Sequence, residues 1–224
     1  MTFFIGENGT GKSTLLKALS IKCGIHIWEN NERKRCEINP YEKELYAAID
    51  IEWRAGSVPR SFFASDIFRN FFQILDEWAS VDAPILDYFG GKSLLTQSHG
   101  QSLISFFRAR YQIKGLYFLD EPETALSPKS QMEFLDVLVR TSRNGHVQFV
   151  IATHSPILLA CPESTIMSFD HIPIKSVAYE ESEYYQFYKD FMNHREKYRT
   201  RFVSENKAKS QHFNRNSSPY NIID

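Results

Sequence analysis

Eight consecutive residues near the start of the chain, Gly6-Glu7-Asn8-Gly9-Thr10-Gly11-Lys12-Ser13, satisfy the pattern G-x-x-x-x-G-K-[ST], and no other stretch restricts the fold as tightly. The residues before it, Thr2 to Ile5, are apolar and β-prone, and Leu15, Leu16, Ala18 and Leu19 follow from Ser13 at helical spacing. The expected unit is therefore strand, loop, helix. Glycines let such a loop curl until its backbone N–H groups face an anion, and the start of the helix adds its positive end. The candidate nucleotide contacts are Gly6, Asn8, Gly9, Gly11, Lys12, Ser13 and Thr14. On this reading Lys12, on a solvent-facing loop, reaches the β and γ phosphates of ATP, and the Ser13 hydroxyl ligates Mg²⁺.

A second signal lies at Leu116-Tyr117-Phe118-Leu119-Asp120-Glu121, an apolar strand closed by two carboxylates. Alone, such a pair is a weak signal that fits a solvated turn as well as a site. Behind a phosphate loop, a buried parallel strand would deliver Asp120 beside Mg²⁺ and leave Glu121 facing the γ-phosphate, placed to orient and deprotonate water. Glu123 falls beyond the strand end and reads as solvated or as a cap for the next helix.

The rest of the chain alternates strands with helices. Ser61–Ser65 reads as a strand, Ile67–Trp78 as a helix, Gln101–Tyr111 as a helix and Gly115–Leu119 as a buried strand. Pro128–Arg143 fits a helix with proline in its first turn, and Val147–Ala152 a further strand, followed after a short turn by Pro156 to Ala160. Two short strands are expected around Asp170-His171, then a charged, aromatic helix from Tyr184 to Arg201. Residues 25–60 read as a loop followed by irregular or edge-strand structure, and 203–224 as a polar, disordered tail. That order predicts an α/β fold with a mainly parallel sheet covered by helices, a domain over 1–202 and a small helical arm at about 67–112.

With 224 residues, 42% of them hydrophobic, the chain can enclose one sizeable core, and a formal net charge of −1 exerts no general pull on nucleic acid or anionic membranes. Cys23, Cys36 and Cys161 form no C-x-x-C pair, which predicts neither a disulfide framework nor a four-thiolate zinc site and points to a reducing, cytoplasmic setting. No apolar run reaches the roughly 20 residues of a membrane span.

Three further segments make the chain resemble the ABC ATPase superfamily of P-loop NTPases. Ser98-His99-Gly100-Gln101-Ser102 is similar to that family's signature, Thr124-Ala125-Leu126-Ser127-Pro128 to its D-loop, and Ile151-Ala152-Thr153-His154-Ser155 to its switch strand. The resemblance implies ATP hydrolysis with Glu121 as base and His154 sensing the γ-phosphate. It also implies a homodimer packed head to tail, in which each ATP lies between one phosphate loop and the partner's signature, here Ser98, Gly100 and Gln101. Two features depart from the family pattern. In place of the family's glutamine after a middle strand stands Asp66, a candidate Mg²⁺ ligand, with Gln73 further along. The chain also begins one strand before the phosphate loop, so either the adenine contact is reorganised or the sequence is a fragment lacking an upstream β-lobe.

The T-H-S-P and S-H-G-Q-S wording resembles the soluble AAA/SMC-like branch, and the span between Lys12 and Ser98 has no room for a long coiled coil. The expected role is an ATP-switched protein in nucleic-acid maintenance or defence, with nucleic acid or a second effector protein as partner. The alternatives are a nucleotide-binding subunit of a membrane transporter and an ATP-dependent dimerisation module with little turnover. Between Lys189 and Arg215 lie eight basic and three acidic residues with Tyr198, Phe202 and Phe213 interleaved. Such a segment could contact nucleic acid or serve as a solvated helix face and tail.

Overall fold

A computed structural model of the protein describes residues 1–25, 27, 44–54, 56–65, 99–143, 145 and 147–199. The expected helix at Ile67–Trp78, the residues Asp66, Gln73 and Ser98, and the tail from Val203 lie outside the described residues. Contacts divide the chain into one unit spanning Met1–Tyr179 and a second beginning at Glu180.

The first unit is built on a six-stranded sheet: β1 (Thr2–Ile5), β2 (Arg60–Ala64), β3 (Gly115–Asp120), β4 (Val147–Ala152), β5 (Thr165–Ser168) and β6 (Lys175–Val177). Spatial order is β2-β3-β4-β1-β5-β6, parallel throughout except for the antiparallel β5–β6 pair. Because β4 is inserted between β1 and β3, Ala152 is in register with Phe4 on one side and with Asp120 on the other. The carboxyl ends of β1, β4 and β3 therefore open side by side, which is where parallel α/β sheets place their ligands.

Strand β3 is buried over its first five residues, as its unbroken apolar run requires when both faces of a parallel sheet are covered. Leu116 and Phe118 point with Phe4, Val150 and Ala152 into a cluster completed by Leu16 and Cys23 at helix α1 (Lys12–Lys22). On other core positions, Phe107 of α2 (His99–Arg110) stacks on Phe134 of α3 (Pro128–Arg143) with ring centroids 4.3 Å apart. Tyr111 lies against Tyr117 at 4.7 Å and Phe149 at 4.9 Å, joining those helices to β3 and β4. Each such fully buried aromatic or Leu side chain is worth roughly 1.5–3 kcal/mol of transfer free energy. A short helix, α4 (Pro156–Leu159), follows β4 and is capped by Ser155, whose Oγ accepts from the N–H groups of Ile157 and Leu158.

In the second unit α5 (Glu183–Asn193) is capped by Ser182. The expected continuous helix to Arg201 is not formed: His194 leaves helical geometry at φ −130°, and a new helical turn occupies 195–199. Asp190 organises the break, binding His194 Nδ1 at 2.8 Å, Lys197 Nζ at 3.2 Å and the Tyr198 hydroxyl. Its carboxyl is held down to about 2, first by the Tyr198 hydroxyl and then by Lys197 and His194.

Candidate functional site

The loop after β1 is curled as its composition demands. Gly11 caps α1 in the left-handed region, φ 95°, which a side-chain-bearing residue would adopt only with strain. Gly6, at φ 144°, is also hemmed in: a Cβ there would meet Thr10 Oγ1 at 3.0 Å and both Asp170 Oδ1 and Phe169 Cβ at 3.1 Å. Lys12 does not extend into solvent as a solvent-facing loop would have it. It is 5% exposed, and its Nζ donates to the carbonyls of Gly6 at 2.5 Å and Glu7 at 3.0 Å. The ammonium thus ties two successive carbonyls of the loop together. Burial pushes the Lys12 amine below its ordinary value, while Glu121, Asp170, Asp120 and Glu7 oppose the shift. Asn8 and Gly9 are exposed at the tip, and Thr14 is half-buried in the first turn of α1.

Two carboxylates approach this loop from different strands. Ser13 Oγ donates to Asp120 Oδ1 at 2.9 Å, joining the start of α1 to the end of β3. Asp170, just past β5, accepts the Glu7 N–H at 2.8 Å. This second contact was not anticipated as part of the site, because 163 residues separate its members and only the pairing of β5 with β1 brings them together.

Beyond β3 the chain turns sharply. Glu121 adopts φ 47°, ψ 52°, a left-handed conformation that costs a non-glycine residue roughly 1–3 kcal/mol. Its N–H donates to Ala152 O at 2.9 Å, and its carbonyl accepts from Ser65 Oγ at 2.6 Å and Thr124 Oγ1 at 3.0 Å. Held in that way, its carboxylate stands 3.3 Å from Nε2 of His154, which follows β4. A short 3₁₀ helix, Pro122–Ala125, comes next and folds Glu123 inward.

Glu123 departs from its expected solvated position: it is 8% exposed, and Oε1 accepts the His154 N–H at 2.6 Å. Oε2 is buried with no hydrogen-bond partner among the described residues. Burial pushes this carboxyl up, against the His154 N–H and the Thr153 hydroxyl, which favour its charged form. A second tie lies alongside, where Gln131 of α3 donates from Nε2 to Leu126 O at 3.0 Å and accepts from Ser155 Oγ at 2.6 Å.

Among the described residues helix α2 begins at His99, two residues ahead of its expected start at Gln101, so Gly100 lies within its first turn rather than before it. A glycine continues a helix at a cost near 1 kcal/mol. A Cβ at Gly100 would sit 3.5 Å from Ser130 Oγ and 3.7 Å from Ala125 O, which places this turn beside the end of the 3₁₀ helix. Gln101 is exposed. Among the described residues no cluster of three or more His, Cys, Asp or Glu could hold a metal unaided, and no helix is long and apolar enough to cross a membrane.

Residues 101–160, from α2 through α4, match the family model described as an AAA domain, putative AbiEii toxin, Type IV TA system. Across an alignment of 186 positions the chain is 26% identical to a probable iron chelatin transport ATP-binding protein of Helicobacter pylori, covering 71% of this chain and 69% of the relative. Among solved structures, a putative metal-chelate type ABC transporter in an inward-facing conformation matches at 20% identity and a TM-score of 0.42, over 80% of this chain and 72% of its own. The SMC head domain from Thermotoga maritima matches at 17% identity and the same TM-score, over 79% of this chain and 89% of its own.

Proposed function

We propose that this chain is an ABC-type P-loop ATPase that binds ATP with Mg²⁺ at the Lys12 loop and hydrolyses it with Glu121 as general base. The observation that carries this assignment is the meeting of three strand ends: Lys12 and Ser13 after β1, Asp120 and Glu121 at the end of β3, and His154 after β4. Lys12 and the loop N–H groups draw in the phosphates. Glu121 accepts the proton of the water whose oxygen attacks the γ-phosphorus as the bond to ADP breaks. His154, beside that carboxylate, orients the water or the γ-phosphate by hydrogen bonding.

The residues present fit Mg²⁺. Ser13 and Asp120 offer hydroxyl and carboxylate oxygens, the hard donors that Mg²⁺ takes one or two at a time alongside phosphate oxygens, and they already converge within 2.9 Å. When bound, the ion neutralises developing charge on the phosphates. Asp66 remains a candidate additional ligand, outside the described residues. The test is calorimetric titration with Mg-ATP together with phosphate release, in the unsubstituted protein and in Lys12→Ala. Equal affinity and turnover in the two would remove the assignment.

The dimeric part of the reading places Ser98, Gly100 and Gln101 against the γ-phosphate of ATP held by a second copy, as free N–H groups in the first turn of a helix suit an anion. For the biological role we favour nucleic-acid maintenance or defence, supported by the description of the family model over 101–160. The curated relatives named for iron chelatin transport favour a second reading, a transporter's nucleotide-binding subunit. Turnover stimulated by DNA would support the first, and stable co-purification with a membrane protein the second.

A further inference from the structure

The turn after β3 grips the end of β4 at two successive points. Glu121 donates its N–H to Ala152 O at 2.9 Å, and Glu123 receives the His154 N–H at 2.6 Å. Between those points lies only Thr153, whose own N–H is bonded to Phe4 O on the other side of β4 at 3.1 Å. The backbone that carries His154 is thus bonded to β1 on one flank and to the turn bearing Glu121 on the other. Gln131 fixes the far end of the same turn, joining Leu126 O to Ser155.

A buried carboxylate is a costly way to satisfy one N–H group and one hydroxyl. Oε2 has no hydrogen-bond partner among the described residues, and apolar side chains fill such space with less penalty. What the side chain provides is a short bond, 2.6 Å from oxygen to nitrogen, aimed at one backbone group. It ends on the backbone of the residue whose ring must remain 3.3 Å from Glu121. We infer that Glu123 is a positioning residue for hydrolysis, anchoring the His154 backbone to the turn that carries Glu121 so that imidazole and carboxylate keep their mutual distance. The inference rests on the ATPase reading of that pair.

The experiment compares the unsubstituted protein with Glu123→Gln and Glu123→Ala by amide hydrogen exchange at His154 and by steady-state ATP hydrolysis. Gln keeps an acceptor where Oε1 stands; Ala does not. In Glu123→Ala the His154 amide should exchange faster and kcat should fall on the order of 10–100-fold, the range that small misplacements of reacting groups produce, with KM for ATP changing far less. Glu123→Gln should restore most of both. If Glu123→Ala does not fold, Glu123→Met fills the space without an acceptor and carries the same expectation. Unaltered exchange at His154, unaltered kcat in the acceptor-less variant, or a Gln variant as impaired as the Ala one would each overturn the positioning role alone. Absence of turnover in the unsubstituted protein would overturn the ATPase reading, and the positioning role with it.

Discussion

Nε2 of His154 lies 3.3 Å from Oε1 of Glu121, although the two residues come from different strand ends and the Glu121 backbone is held in a left-handed turn to make the approach. In the proposed mechanism the base must be aimed as well as charged, and His154 is the group that stands beside it. Replacing Glu121 by Gln retains size and hydrogen bonding but removes the proton acceptor. Hydrolysis should fall by about 10²–10⁴ while Mg-ATP still binds, because Lys12, Ser13 and Asp120 are untouched. Single-turnover phosphate release, read beside equilibrium binding, checks both halves. Light scattering of the same variant should show dimers accumulating with Mg-ATP and not with Mg-ADP, by mass action on an unconsumed ligand.

Lys12→Ala should abolish measurable Mg-ATP binding and also lower the melting temperature. The stability effect follows from burial: Lys12 closes the loop on the carbonyls of Gly6 and Glu7, and lost hydrogen bonds of this kind contribute about 1 kcal/mol each. Thermal unfolding without nucleotide separates this effect from binding. A melting temperature identical to that of the unsubstituted protein would mean that the ammonium does not brace the empty loop.

Asp170 permits a sharper comparison, since its acceptor and its charge have opposite consequences. The acceptor holds the Glu7 N–H at 2.8 Å and so shapes the phosphate loop, whereas the negative charge opposes an incoming phosphate. Asp170→Asn keeps the first and removes the second, so its affinity for Mg-ATP should equal or exceed that of the unsubstituted protein. Asp170→Ala loses both and should bind more weakly by roughly 10-fold or more, since a hydrogen bond to a charged group contributes about 1.5–3 kcal/mol. Calorimetry on the pair decides which contribution dominates.

Glu123 gives a prediction in pH. Its carboxyl is raised in the fold, chiefly by burial, so the native state binds a proton more readily than the unfolded chain does. Stability should therefore decline as pH rises from the ordinary carboxylate range through the raised folded value, then level off. Glu123→Gln removes that dependence. The variant should match the unsubstituted protein at acidic pH and gain on it toward neutrality, as followed by denaturant midpoints across pH. A gap that widens on acidification would reverse the assigned sign.

The strand-loop-helix around Lys12 could be read from the chain because every residue that defines it is contiguous, and β3 could be read because an unbroken apolar run demands burial on both faces. Asp170 and Glu123 were not legible for opposite reasons. Asp170 reaches the loop only through the β1–β5 pairing, which no local pattern encodes. Glu123 is local, but a glutamate two residues past a strand end ordinarily faces water, and only the 3₁₀ turn of Pro122–Ala125 folds it beneath His154. The glutamate recurring one residue beyond Pro122 was the available signal. Periodicity likewise gave no warning of the break at His194, since Asp190 collects its three partners by side-chain chemistry rather than by apolar spacing.

The strand order also bears on how the protein is made. β1 precedes by a long stretch of chain the two strands that flank it, β4 and β5, which begin only at Val147 and Thr165. Closing contacts across so much chain carries a loop-entropy cost before any pairing rewards it. The phosphate loop must therefore wait for strands that are made well after it. A nascent chain or proteolytic fragment ending before β4 would contain the whole Gly6–Ser13 sequence and still have no flanking strands to hold it open for a nucleotide.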